Sequence, residues 1–85
     1  MPNVFSISAL NAYIRRLIER DAPLQDIWVE GEVSNLRAQS SGHLYFTLKD
    51  ASAELRTVIW RDRARALRHT PQNGEQILAH GKIGV

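Results

Sequence analysis

The stretch EGEVSNLRAQSSGHLYFTLKD, residues 30–50, decides how the rest of the chain is read. Its second half, HLYFTLK (43–49), alternates apolar and polar residues, the period-2 pattern of a strand with one buried face. Leu44, Phe46 and Leu48 fall on one side; His43, Tyr45, Thr47 and Lys49 fall on the other. The first half belongs to a longer alternating run, IWVEGEVSNL (27–36), with Ile27, Val29, Gly31 and Val33 set against Trp28, Glu30, Glu32 and Ser34. Between the two runs, RAQSSG (37–42) is polar and ends on glycine, as a loop does. Two strands joined by a loop are expected, with an imidazole, a phenol and an ammonium in a row on the polar face.

Working outward, ELRTVIW (54–60) sets Leu55, Thr57 and Ile59 against Arg56, Val58 and Trp60. The intervening DASAE (50–54) is short, so 43–49 and 54–60 should form a hairpin. RDRARALR (61–68) predicts a short basic helix with Ala64 and Leu67 inward. TPQNG (70–74) reads as a turn, and QILAHGKIGV (76–85) as a last strand. Upstream, SISALNAYIRRLIERDAP (6–23) predicts an amphipathic helix with Leu10, Tyr13, Ile14, Leu17 and Ile18 on one face. Ser8 is its expected cap, with Ser6 a rival, and Asp21, Ala22 and Pro23 should end it.

Helix, three meandering strands, helix and strand is the order of an OB-fold, a five-stranded and partly open Greek-key barrel. The expected class is therefore mainly β with a leading α-helix, and the fifth strand is lacking. Residues 1–24 form a helical segment packed on the barrel, and 25–85 the OB-fold, which stops at Val85 inside an alternating strand. Gly31 and Gly81 suit bends at barrel corners.

Eighty-five residues make one small domain with a modest core. There are no cysteines, so neither disulfides nor thiolate metal sites are available. No apolar run approaches the ~20 residues of a membrane span, and the N-terminus lacks a signal-peptide pattern, so a cytoplasmic protein without membrane partners is expected. The net charge is only +2, but it is unevenly spread. Residues 1–36 hold three Arg against five acids, whereas 37–85 hold eight Lys/Arg against four. Nine of the eleven basic residues are Arg, which forks onto phosphate and stacks on rings.

Catalytic patterns are missing. His43, His69 and His80 have no short ligand spacing, the glycines form no phosphate loop, and no serine sits in a nucleophile elbow. No catalytic residue, metal or cofactor is therefore expected in this chain. A binding surface is better supported, because single-strand binders join a basic groove to rings on which bases stack. The candidate contacts are Asn35, Arg37, Ser41, His43, Tyr45, Lys49, Arg56, Trp60, Arg61 and Arg63. Several have structural alternatives: Trp60 packing on a helix, His43 capping its strand, Asn35 holding its own turn.

WVEGEVSNLRAQSSGHLYFTLKD (28–50), preceded by FSISALNAYIRRLIE (5–19) and followed by NGEQILAHGKIGV (73–85), resembles the N-terminal domain of the exodeoxyribonuclease VII large-subunit family. The matching positions are Val29, Gly31, Glu32, Val33, Ser34 and Asn35, then Ser41, Gly42, His43, Tyr45, Phe46, Leu48, Lys49 and Asp50. The resemblance implies a bacterial OB-fold domain that holds single-stranded DNA. It further implies a holoenzyme that hydrolyses such DNA from either end to oligonucleotides, and a small subunit attached through regions not found in these residues. The nuclease domain would lie C-terminal to the OB-fold, so no catalytic residue of the family maps onto these positions. An interaction domain without DNA contact and an RNA-binding OB-fold are the alternatives.

A barrel lacking its fifth strand leaves an unpaired edge that can recruit another chain. Self-association is therefore expected, and sedimentation at high micromolar concentration should reveal dimers or larger species; a well-folded monomer there would contradict it.

Overall fold

The computed structural model describes residues 2–85; Met1, the first residue of the expected 1–24 segment and of the N-terminus scanned for a signal peptide, lies outside the described residues. The elements run α1 (Ile7–Glu19), α2 (Ala22–Gln25), β1 (Ile27–Ala38), β2 (Leu44–Lys49), β3 (Glu54–Ile59), α3 (Arg61–Ala66) and β4 (Gln76–Gly81). The four strands form one open sheet in the order β3-β2-β1-β4. β1 pairs antiparallel with β2, and β2 antiparallel with β3. This is an OB-fold whose sheet does not close. Its contacts define two compact units, Glu30–Leu78 and the segment ending at Val29 together with Ala79–Val85.

Within Glu30–Leu78 the alternation sorts the strands as expected. Val33, Leu44, Phe46 and Leu48 are buried, Val33 completely. Opposed residues of an antiparallel pair share a face. The pairs Val33 with Leu48, Leu44 with Ile59, Phe46 with Thr57 and Leu48 with Leu55 therefore build one apolar face. Gly31 sits at a close approach: a Cβ there would lie 3.2 Å from the Lys49 carbonyl oxygen, a tight contact that the neighbouring backbone would have to relieve. Gly81, expected at a bend, has open space around it, and nothing in its surroundings demands glycine.

The strict alternation of β1 breaks at one place. Ser34 opposes Thr47 and Arg37 opposes Tyr45, so Asn35 and Leu36 together face the single residue Phe46. This is a β-bulge. Asn35 takes up the extra residue at φ 53°, the left-handed region that Asn tolerates better than other side-chain-bearing residues. The Asn73 side-chain carbonyl accepts the Leu36 N–H at 2.9 Å. Beside it, the Gly74 N–H donates to the Val33 carbonyl at 2.7 Å, and the Val33 N–H donates to the Glu75 carbonyl at 2.9 Å. The 70–74 turn thus grips β1 at the bulge.

The structure corrects several sequence expectations. Ser6, not Ser8, caps α1: its hydroxyl accepts the Ala9 N–H at 3.1 Å, and Ser8 lies inside the first turn. Asp21 does not merely end α1. It caps α2, where Pro23 sits in the first turn and no backbone donor is needed. β1 runs on through the bulge to Ala38 instead of stopping at Leu36. α3 ends at Ala66 because Leu67 is extended, so Leu67 is not packed inward and stays exposed. β4 ends at Gly81 and not at Val85; beyond it the Ile83 N–H donates to the Leu24 carbonyl at 2.8 Å. No residue of α1 is buried; Leu10, Tyr13, Ile14 and Leu17 are exposed, while Gln25 ties α2 to α1 by donating to the Ile18 carbonyl.

Asn35→Val should cost about 1–2 kcal/mol, the penalty for a side chain held in the left-handed region, whereas Asn35→Gly should be tolerated. Asn73→Ala should cost about 1 kcal/mol by stranding the Leu36 N–H. Urea unfolding of the three variants checks this ranking.

Candidate nucleic-acid interface

The bulge decides which residues share the polar face. By plain alternation Arg37 falls on the side of Val33, in the core. One extra residue moves it to the other side. The face then reads in rows across β1, β2 and β3: Glu32, Lys49 and Glu54; Ser34, Thr47 and Arg56; Arg37, Tyr45 and Val58. Past the ends of the strands, His43 and Trp60 follow, with Arg61 opening α3.

These rows differ in electrostatic character. At the hairpin-turn end Lys49 lies 3.5 Å from Glu32 and opposite Glu54. Asp50 stands next to it, and its carboxylate accepts the Ser52 N–H at 2.8 Å and the Ala53 N–H at 2.9 Å. This half is locally acidic, and its one cation has an anionic partner. The other half carries Arg37, Arg56 and Arg61 together with the rings of His43, Tyr45 and Trp60. No side-chain ion pair engages these three guanidinium groups among the described residues.

The rings of that half are packed edge to face. His43 lies 5.2 Å from Trp60 and 6.4 Å from Tyr45, each at 89°. Trp60 is 57% exposed and so is not buried against a helix. His43 also makes a specific bond: its Nδ1 accepts the Arg61 N–H at 2.8 Å. Gly42, at φ 96°, brings the backbone so close to Arg61 that a Cβ would lie 2.9 Å from the Arg61 Cγ.

The expected contact residues therefore divide. Arg37, Tyr45, Arg56 and Trp60 come together, with His43 and Arg61 beside them. Lys49 lies on the same face but in the acidic half. Asn35 lies in the bulge of β1, where it is exposed. Ser41 is exposed in the loop between β1 and β2. Arg63 is exposed on α3, with no hydrogen bond or ion pair to the strand face among the described residues. Sequence reading passed over Trp28 and His80, whose rings stack at 4.3 Å and 12°, with the Asp26 carboxylate bonded to the His80 Nε2. Trp28 is 62% exposed, and its position among polar residues of β1 was the available signal. The described residues contain no group of three or more His, Cys, Asp or Glu able to hold a metal, and no helix long and apolar enough to cross a membrane.

Two carboxylates in turns are held below their ordinary range. Asp50 is lowered by the Ser52 and then the Ala53 N–H, and Glu75 by the Gln72 N–H and then by His69. Groups with depressed values stabilise the fold above the ordinary carboxylate range, and that contribution is lost as pH falls through the depressed folded value. Acidification from neutral pH should therefore leave the β2–β3 turn intact through Asp50's ordinary value of 3.8 and loosen it only below. The Ser52 and Ala53 amide shifts in an NMR pH titration should move together there, and Asp50→Asn should abolish that step.

The description of a known family fits this architecture: the family model for an OB-fold nucleic acid binding domain matches residues 5–85. Among curated proteins, the exodeoxyribonuclease 7 large subunit of Geotalea daltonii is 48% identical over 98% of this chain and 18% of its own length. Those of Moorella thermoacetica and Brevibacillus brevis are 43% and 42% identical, over 96% and 100% of this chain and 20% and 18% of theirs. The chain thus spans about a fifth of the length of these relatives. With an OB-fold order of strands, an open sheet and a match over nearly every residue, the chain belongs to the family of OB-fold nucleic acid binding domains and is similar to the corresponding part of exodeoxyribonuclease 7 large subunits.

Proposed function

We propose that this domain holds single-stranded DNA on the Arg37–Tyr45–Arg56–Trp60 half of its β1–β2–β3 face, as the nucleic-acid-holding part of an exodeoxyribonuclease VII large subunit. One observation carries the reading. The strand register, shifted by the bulge, sets exposed guanidinium groups that make no ion pair among the described residues on one face with the rings of Tyr45 and Trp60. Rings offer stacking of about 1–3 kcal/mol per base to any sequence, and Arg adds phosphate contacts whose strength falls with salt. The likeness to large subunits supports the same substrate class. On this reading the parent enzyme degrades single-stranded DNA from either end to oligonucleotides in the bacterial cytoplasm, with a small subunit as partner and the catalytic groups outside this domain. Self-association through the edges β3 or β4 belongs to the same proposal, since the open sheet leaves both without a second neighbour.

The division of the face changes the expected roles. Lys49 is compensated by Glu32, so Arg37 and Arg56 are the phosphate contacts. In fluorescence anisotropy with oligo-dT, Arg37→Ala and Arg56→Ala should each reduce the salt slope by about 0.7, the loss of one single-strand phosphate contact. Tyr45→Ala should weaken binding by about 5- to 150-fold with the slope unchanged. Glu32→Gln should strengthen binding up to about 5-fold by releasing Lys49. No binding at low salt would favour a protein-interaction domain, and preference for RNA of the same sequence would point to recognition of the 2′-hydroxyl.

A further inference from the structure

His43 is conspicuous in sequence as a member of the polar row, and its natural reading there is a direct contact to DNA. Its geometry says otherwise. α3 opens with backbone N–H groups that have no partner within the helix. Its cap residue, Trp60, makes no side-chain capping bond. The missing acceptor comes from 18 residues earlier in the chain: His43 Nδ1 receives the Arg61 N–H at 2.8 Å. Accepting there places the proton of the neutral ring on Nε2. The same ring lies edge-on to Trp60 at 5.2 Å and to Tyr45 at 6.4 Å. Just before it, Gly42 admits the Arg61 stem where a Cβ would stand 2.9 Å from Cγ. One imidazole therefore touches, by three different contacts, three of the groups assigned to the interface.

We propose that His43 is a positioning residue: by accepting the Arg61 N–H it fixes Trp60 and the first turn of α3 beside Tyr45, and it is not itself a phosphate contact. This rests on the nucleic-acid reading given above. The chain leaves β3 at Ile59 and turns directly into α3, with Trp60 as the hinge residue. Without an acceptor at position 43, the exposed Trp60 and the Arg61 stem lose their anchor to the start of β2.

A direct contact and a clamp respond oppositely to substitution. His43→Asn keeps an acceptor in the place of Nδ1 but removes the ring, whereas His43→Lys supplies a cation and removes the acceptor. We expect His43→Asn to bind oligo-dT within about 2-fold of the parent, and His43→Lys and His43→Ala to bind about 2- to 10-fold more weakly, as loss of one net hydrogen bond implies. Amide hydrogen exchange at Arg61, measured without DNA, should stay slow in His43→Asn and become fast in the other two. Parent-like binding by His43→Lys, or His43→Asn as weak as His43→Ala, overturns the positioning role; should His43→Ala fail to fold, the Asn–Lys comparison carries the test. A parent protein that binds no oligonucleotide overturns the nucleic-acid reading itself, a result distinct from the other two.

Discussion

A two-residue bulge in β1 governs how this surface is assembled. Side chains on a strand alternate with period two, so a single added residue exchanges the faces of everything beyond it. Asn35 and Leu36 opposite Phe46 perform that exchange. Up to Ser34 the strand presents its even-numbered residues to the polar face, and from Arg37 it presents the odd-numbered ones. Arg37 thereby joins Tyr45 and leaves the side occupied by Val33. The exchange is held from two directions: by Asn35's left-handed backbone and by Asn73, whose carbonyl takes the Leu36 N–H. An unpaired backbone donor at this point would favour sliding back into regular register, and the 70–74 turn removes that option.

The resulting face is polarised. Its hairpin end brings Glu32, Glu54 and Asp50 around Lys49, and its loop end brings guanidinium groups among rings. A net charge of +2 says nothing of this arrangement, since opposite charges cancel in the sum but not across a surface whose separations approach the Debye length of about 8–10 Å. On the strand face, Arg37, Arg56 and Arg61 make no side-chain ion pair among the described residues, whereas Lys49 is paired with Glu32.

Capping from a distance joins the start of β2 to α3. Short helices gain little from their own propensity and depend on partners at their ends. α3 has six residues and a tryptophan at its cap position, so an acceptor from elsewhere is valuable, and His43 supplies it. The polar row HLYFTLK thus contains residues in three settings: His43 accepting the Arg61 N–H, Tyr45 with its ring edge-on to His43, and Lys49 paired with Glu32. Their shared alternation hid these differences.

Much of the fold was legible along the chain. Leu44, Phe46 and Leu48 announced a strand with one apolar face, the short DASAE segment announced the hairpin, and the order of helix and strands announced the OB-fold, because each depends on local period and turn chemistry. The limits of α2, α3 and β4 were not legible, since they depend on capping and on bonds such as that from Ile83 to Leu24. The composition of the candidate surface was legible in type, as arginine and aromatic residues, but not in arrangement. No local pattern showed that Asn35 opens a bulge, that Glu32 occupies Lys49, that Trp28 stacks on His80, or that His43 turns toward Arg61. Sequence alone determined which side of each regular strand is apolar, because alternation is a property of neighbours in the chain. Only the tertiary structure decided which polar residues share a face, because register, bulges and caps are settled by partners 6 to 54 positions away.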